Sequence, residues 1–194
     1  MLEKPIHVLF LCTHNSARSI LAEACLNRIG KGRFKAFSAG SHPKDNQQPN
    51  PMALEVLRSA SIPTGGLRSK NWDEFGRPDS PHVRHAGPPQ ASTAPSGGSA
   101  LHEVKSVGVI LDLVITVCDS AAGEGCPHWP GQPATAHWGY ADPSATDGTD
   151  EEKLNAFRKT LHDLPRRLEL LVNLPPASVS RLMLQDSARD LAKS

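Results

Sequence analysis

The sequence has almost no excess charge and no long apolar run. Its 21 basic residues are matched by 20 acidic residues, for a net charge of +1. A balance this close to zero gives no overall field that would draw the chain to nucleic acid or to an anionic membrane, so we expect any anion site to be local. The apolar run at residues 6–12 is interrupted by His7 and is too short to cross a membrane.

Cysteine is also scarce, with four residues in 194: Cys12, Cys25, Cys118 and Cys126. No small-residue cleavage site follows the first apolar run, so we expect a cytoplasmic protein whose thiols are kept reduced. In that compartment, four cysteines indicate catalytic, metal-binding or buried roles rather than a disulfide framework. Cys25 lies four residues after Leu21 on the apolar face of a predicted helix, which favours a place in the core.

Short apolar segments alternate with helical patterns along the chain. The first of them is nearly continuous in apolar residues, as in a strand that is buried on both faces. Asn50-Pro51 and the pair Thr149 and Glu152 are typical of helix starts. The alternation predicts an α/β fold with a doubly wound, parallel sheet. The four predicted strands are residues 6–11, 34–38, 111–117 and 134–138.

One domain is predicted for residues 1–175, a length that can bury a sizeable core. Within it, residues 76–106 are rich in Pro, Gly, Ser and His and show no sustained periodicity, which predicts an inserted loop. A tolerated surface insertion and a flap over the site both remain open. Residues 176–194 are predicted as a loosely amphipathic, helical C-terminal extension. The length and the charge balance favour a monomer.

The most informative stretch runs from Cys12 to Ser19, between a buried strand and a helix. Parallel sheets bind ligands at the carboxyl ends of their strands, where helix N-termini favour anions. The five residues between Cys12 and Arg18 can curl around a tetrahedral oxyanion, with amides pointing inward and the guanidinium closing the ring. The same field is expected to lower the pKa of the Cys12 thiol. The predicted oxyanion-binding residues are Thr13, His14, Asn15, Ser16, Ala17, Arg18 and Ser19.

A second group of thiols follows the third predicted strand. Cys118 ends that strand, and Cys126 comes eight residues later, after a stretch of small residues. If the first and third strands are neighbours, Cys12 and Cys118 close the same sheet edge, within reach of a disulfide. Each later cysteine could instead be an ordinary buried or incidental residue. A zinc site, at a spacing that matches no familiar pattern, would use Cys118, Cys126, His128 and His137.

An Asp-Pro pair, Asp142-Pro143, lies after the fourth predicted strand, where a carboxyl group could protonate a departing oxygen. The Cys-x5-Arg-Ser loop and this pair resemble the low-molecular-weight protein tyrosine phosphatases and the arsenate reductases built on their scaffold. The resemblance covers most of the chain apart from the insertion and the last helix. Three segments are similar to the reductases in particular: Cys118-Asp119-x6-Cys126-Pro127, Trp129–Pro133 and His137–Ala141. The phosphatases place tyrosines directly after Asp-Pro, where this chain has Ser144.

The resemblance implies a flavodoxin-like, four-stranded parallel sheet in the order 2-1-3-4, with helices on both faces. It also implies reduction of arsenate, with Cys12 as the nucleophile, Arg18 on the oxyanion and Asp142 as the general acid. Cys118 and Cys126 would then pass a disulfide outward to thioredoxin or another thiol reductant, with no bound cofactor. Two alternatives stay open: a phosphatase of the same scaffold, and a non-enzymatic oxyanion or redox sensor. Some relatives bind potassium near the loop, and the matching positions here are Asn15, Glu23 and Ser38.

Overall fold

The computed structural model describes residues 4–76, 109–123, 129 and 131–175. Within these residues the strands are β1 (Ile6–Cys12), β2 (Phe34–Gly40), β3 (Leu113–Thr116) and β4 (Ala134–His137). They form one parallel sheet in the order β2-β1-β3-β4, which confirms the predicted order 2-1-3-4. β3 is shorter than the predicted 111–117, although Val117 still donates its amide to the Leu11 carbonyl at 2.8 Å.

The helices that begin at residues 51 and 150 start directly after capping side chains. The Asn50 side chain accepts the Met52 amide at 2.9 Å, and Thr149 and Glu152 form a complete capping box, as predicted. Among the described residues, the α-helices are α1 (Arg18–Ile29), α2 (Pro51–Ser59), α3 (Asp119–Gly123) and α4 (Asp150–Val172). Short 3-10 turns cover Trp72–Phe75 and Pro143–Ala145.

The alternation of side chains along the central strand divides the core between the two faces of the sheet. Val8 and Phe10 pack into the larger cluster, which includes buried residues of α1, α2 and α4. Leu9 and Leu11 face a smaller cluster that the Trp72–Phe75 turn and Trp129 cover. Because β1 is buried on both faces, its carboxyl end and the loop that follows are held between rigid neighbours.

Some predictions concern parts of the chain that lie outside the described residues. These are the inserted loop at 76–106, apart from Gly76, and the extension at 176–194, so the proposed domain limits stay predictions. Within the part that is described, no helix is long and apolar enough to cross a membrane.

Candidate active site

The predicted oxyanion loop joins β1 to α1 at the carboxyl edge of the sheet. Cys12 ends the strand, and α1 begins at Arg18. Between them Asn15 adopts a left-handed backbone conformation, with φ of 51°, which is uncommon for a residue other than glycine but accessible to asparagine. The turn lets the Asn15 amide point back at the Cys12 sulfur, at 3.2 Å. His14 is exposed, Thr13 and Ser16 are half-buried, and Ala17 is buried.

The Asn15 side chain holds the loop in shape, because each of its polar atoms has a partner. Its Nδ2 donates to Ser19 Oγ at 2.9 Å and to Ser38 Oγ at 2.8 Å. Its Oδ1 accepts the Lys70 backbone amide at 2.7 Å. Since Asn15 is fully buried, breaking this set would leave unpaired polar atoms in the core and would release the strained turn.

Two supports of the loop were missed by the sequence analysis. Gly40 ends β2, and a Cβ there would lie 2.7 Å from the Thr13 carbonyl oxygen, so only glycine lets the loop pack this closely. Ser69 donates its hydroxyl to the Asn15 carbonyl at 2.6 Å. The glycine at a strand end was a visible signal for a close backbone approach. Nothing in the local pattern around Ser69 indicated a contact with a loop more than 50 residues away.

The Cys12 thiol is almost completely buried, and its sulfur lies 2.9 Å from Ser19 Oγ. Burial raises the pKa of this thiol, because the charged form loses its hydration. Hydrogen bonds from Ser19 and Asn15 lower the pKa, but by less, and the nearby Cys118 adds to the rise. The predicted lowering of this pKa is therefore wrong.

We expect the alkylation rate of Cys12 by iodoacetamide to rise with pH, with a midpoint above the ordinary thiol value of about 8.5. The sign follows from the raised pKa, which leaves the protonated and unreactive thiol dominant at neutral pH. Mass spectrometry of the Cys12 peptide separates this thiol from the others. In Ser19→Ala the midpoint should move further up, because a hydrogen bond to the sulfur is lost. A rate that levels off below pH 7 would contradict this result.

Arg18 reaches across the loop to the segment after β4. Its Nη2 donates to Asp142 Oδ2 at 2.8 Å, and its Nη1 donates to the Tyr140 carbonyl at 3.0 Å. The other carboxylate oxygen, Oδ1, accepts the Ser144 amide at 3.0 Å and the Ser144 hydroxyl at 2.6 Å. The predicted general acid and the predicted anion-binding arginine therefore meet at the mouth of the loop. An oxyanion bound there has to compete with Asp142 for the guanidinium.

Cys118 lies at the same edge of the sheet as Cys12. It follows β3, its side chain is 1% exposed, and its sulfur lies 3.6 Å from Thr13 Oγ1. The Ala121 amide, in the first turn of α3, donates to the same sulfur at 3.4 Å. A second thiol is thus in contact with the residue that follows the predicted nucleophile. Cys126, predicted as the third member of the relay, lies outside the described residues.

Cys25 and His137 lie in environments that do not indicate a catalytic or metal-binding role. Cys25 is buried in the larger core cluster, as predicted, and burial raises its pKa to about 12. His137, a ligand in the zinc alternative, has Nδ1 2.9 Å from Thr116 Oγ1 and Nε2 2.9 Å from Asp119 Oδ1. Both of its ring nitrogens are therefore occupied. Among the residues the structure describes, no three Cys, His, Asp or Glu side chains are grouped for a metal ion; His128 is not among them.

The three potassium candidates do lie together, beneath the loop. Ser38 donates to Glu23 Oε2 at 2.5 Å and accepts from Asn15. The ammonium of Lys70 also faces this carboxylate, with 3.4 Å between Nζ and Oε2. Burial raises the pKa of Glu23 and lowers that of Lys70, while the attraction between the two groups opposes both shifts. Lys70 was not singled out by the sequence analysis.

Comparison with known proteins finds relatives that match this chain over most of its length. The family model described as low molecular weight phosphotyrosine protein phosphatase matches residues 7–78. An arsenate reductase from Bacillus licheniformis is 29% identical over 162 residues, which cover 84% of this chain and 91% of that protein. The matched segment is similar to that phosphatase family and includes the whole Cys12–Ser19 loop. The relatives that match this chain over most of its length include arsenate reductases.

Solved structures share the same fold. One described as an arsenate reductase in the phosphate-binding state superimposes with a TM-score of 0.55 at 22% identity, covering 90% of this chain and 99% of its own. A low-molecular-weight protein tyrosine phosphatase from T. tengcongensis gives a TM-score of 0.53 at 21% identity, covering 84% and 95%. Since one scaffold carries both kinds of protein, the fold alone does not choose between their reactions.

Proposed function

We propose that this chain reduces arsenate to arsenite through a relay of thiols. The observation that carries the proposal is the buried Cys118 sulfur beside Thr13, next to the loop that bears Cys12. Hydrolysis of a phosphoester on this scaffold needs a nucleophile, an arginine and an acid, and it has no use for a second thiol at the loop. Reduction requires two electrons, which a pair of thiols supplies as it becomes a disulfide.

In the first step, the Cys12 sulfur attacks arsenic and one arsenate oxygen leaves as water. The Cys12 thiol and HAsO₄²⁻ together give the thiol–arsenate adduct Cys12–S–AsO₃²⁻ and H₂O. Arg18 and the loop amides hold the remaining oxygens. Because the raised pKa keeps the thiol protonated at neutral pH, its proton has to leave as the S–As bond forms. Asp142 carries a proton to the departing oxygen once Arg18 has moved from its carboxylate to the anion.

In the second step, Cys118 attacks the Cys12 sulfur. The S–As bond breaks, its electron pair stays with arsenic, and arsenite leaves with the proton of the Cys118 thiol as the Cys12–Cys118 disulfide forms. Cys126 then attacks Cys118, which releases the Cys12 thiol and leaves a Cys118–Cys126 disulfide. An external thiol reductant, for which we propose thioredoxin, reduces that disulfide in a cytoplasm that keeps thiols reduced. We propose that the monomer is the working unit, since the scheme draws every reacting group from one chain.

A phosphatase is the second candidate function, and the match of residues 7–78 to the phosphatase family model favours it. Arg18 and Asp142 would serve a phosphoester as well as they would serve arsenate. Against it, the residue after Asp142-Pro143 is Ser144, whose hydroxyl binds the Asp142 carboxylate, where the phosphatases place tyrosines. An oxyanion or redox sensor remains the third reading, and tight anion binding without turnover by any supplied dithiol would indicate it.

The test is arsenite production from arsenate with a thioredoxin system, measured beside hydrolysis of a generic aryl phosphate. We expect sustained arsenite production and little hydrolysis. In Cys126→Ser we expect one arsenite per protein and then a stall with the Cys12–Cys118 disulfide in place, which peptide mapping would detect. Sustained turnover of this variant with thioredoxin would contradict the proposed order of the relay.

A further inference from the structure

A continuous set of contacts joins Lys70 to the turn of the oxyanion loop. The Lys70 ammonium lies 3.4 Å from Glu23 Oε2, and the same oxygen accepts the Ser38 hydroxyl at 2.5 Å. Ser38 Oγ in turn accepts Asn15 Nδ2 at 2.8 Å. All four side chains are buried. The orientation of Asn15 therefore depends on a carboxylate whose neutralising charge comes from residue 70.

The position of Asn15 in turn affects the hydrogen bonds to the reacting sulfur. Its Nδ2 also donates to Ser19 Oγ, which lies 2.9 Å from Cys12 Sγ, and its backbone amide contacts the same sulfur at 3.2 Å. A buried carboxylate without a counter-charge would be strongly destabilised, so it would take up a proton or draw in a cation. Either change would alter the hydrogen bond from Ser38 and the position of Asn15.

The donor set at this point does not fit a potassium ion. Potassium is held by a shell of oxygen atoms that replace its hydration water. Here Asn15 Oδ1 is occupied by the Lys70 amide, and Asn15 turns its Nδ2, a hydrogen-bond donor, towards Ser38. The Lys70 ammonium already faces Glu23 and also donates to the Arg68 carbonyl at 3.0 Å. A second cation at Glu23 would be repelled by this ammonium.

We propose that the Lys70 ammonium does the work of a bound monovalent cation, neutralising Glu23 so that Ser38 and Asn15 hold the oxyanion loop without potassium. Lys70 is then a positioning residue, because it acts through Glu23, Ser38 and Asn15 and touches neither the reacting sulfur nor the anion. A cleft lined by Glu23, Asn27 and Leu67 gives a small cation a path to the carboxylate once the lysine side chain is removed. The inference rests on the proposed function only where the rate of arsenate reduction is the readout.

The experiment compares the wild type with Lys70→Ala in potassium chloride and in N-methylglucamine chloride at equal ionic strength, since the organic cation is much bulkier than the ammonium group that it would have to replace. The readouts are the Kd for inorganic phosphate, the pH midpoint of Cys12 alkylation and the Tm. We expect the wild type to be indifferent to the cation. Without potassium, Lys70→Ala should bind phosphate on the order of 10-fold more weakly, the loss typical of groups that orient a ligating residue. Potassium should restore most of that affinity.

Two further variants distinguish a specific effect of the Lys70 charge from a general loss of folding. Lys70→Met combined with Glu23→Gln removes both charges, so this double variant should fold and should show no potassium response. Lys44→Ala removes one exposed positive charge and should behave as the wild type does. The inference is overturned if the wild type already depends on potassium, if Lys70→Ala binds phosphate normally in both salts, or if the double variant keeps the potassium response. Because phosphate affinity and Tm need no arsenate chemistry, they test Lys70 even if the proposed reductase activity fails.

Discussion

Replacing Cys118 with serine is expected to reduce multiple-turnover arsenate reduction to background. The serine oxygen cannot form a disulfide with Cys12, so the S–As bond of the adduct is not broken and arsenic is not reduced. Serine is close to cysteine in size, and its oxygen can still accept the Ala121 amide that now donates to the sulfur at 3.4 Å. Phosphate binding and any hydrolysis of aryl phosphate should therefore survive. Arsenite production and aryl phosphate hydrolysis, assayed on the same preparation, give the comparison.

Cys25→Ala is the matched control for Cys118→Ser. It also removes a buried thiol, but one that packs in the larger core cluster, far along α1 from the loop. Its turnover should remain near that of the wild type, at some cost in stability from the small cavity. If Cys118→Ser keeps turning over arsenate with thioredoxin, another thiol delivers the electrons and the proposed relay is wrong. If Cys118→Ser loses reduction and phosphate binding together, the residue supports the loop rather than the electron transfer.

The general layout of the site was predictable because it depends on local patterns. A buried strand, a polar turn and an amphipathic helix define where Cys12 and Arg18 lie relative to the sheet edge. The alternation of strands and helices predicts a parallel sheet, and neighbouring parallel strands end at one edge, where the structure has both Cys12 and Cys118. The position of the loop follows from the period of the apolar residues, whereas the adjacency of the first and third strands was implied by the family resemblance.

The parts that escaped prediction depend on contacts between distant segments. Lys70 and Ser69 reach the loop across more than 50 residues of sequence, and no local pattern marks a lysine as the partner of a buried carboxylate. The pKa of Cys12 was predicted in the wrong direction because the helix N-terminus and the amides are visible in the sequence, whereas the depth of burial is not. The pairing of Arg18 with Asp142 spans 124 positions, and it changes the first step, since the guanidinium has to move before it can grip an anion.

Removing the guanidinium should impair binding and chemistry together. In Arg18→Ala we expect weaker phosphate binding and a fall in kcat/KM for arsenate of about 100- to 1000-fold, the loss typical of deleting one donor to a developing oxyanion. The reason is that the planar fork can hold two anion oxygens at once, and this contact strengthens as charge shifts onto them. The ion pair with Asp142 is also lost, but Asp142 is 33% exposed, so the effect on stability should be small. Phosphate titration and steady-state kinetics measure the two effects separately.

Arg18→Lys separates charge from geometry. The lysine keeps the positive charge but offers no rigid fork, so its kcat/KM should lie between those of the wild type and Arg18→Ala. Arg58→Ala removes an exposed arginine from the last turn of α2 and should leave both measurements unchanged. Phosphate binding of wild-type strength in Arg18→Ala would mean that the loop amides alone hold the anion. The guanidinium would then serve chiefly to hold Asp142 and the Tyr140 carbonyl, the two groups to which it donates in the structure.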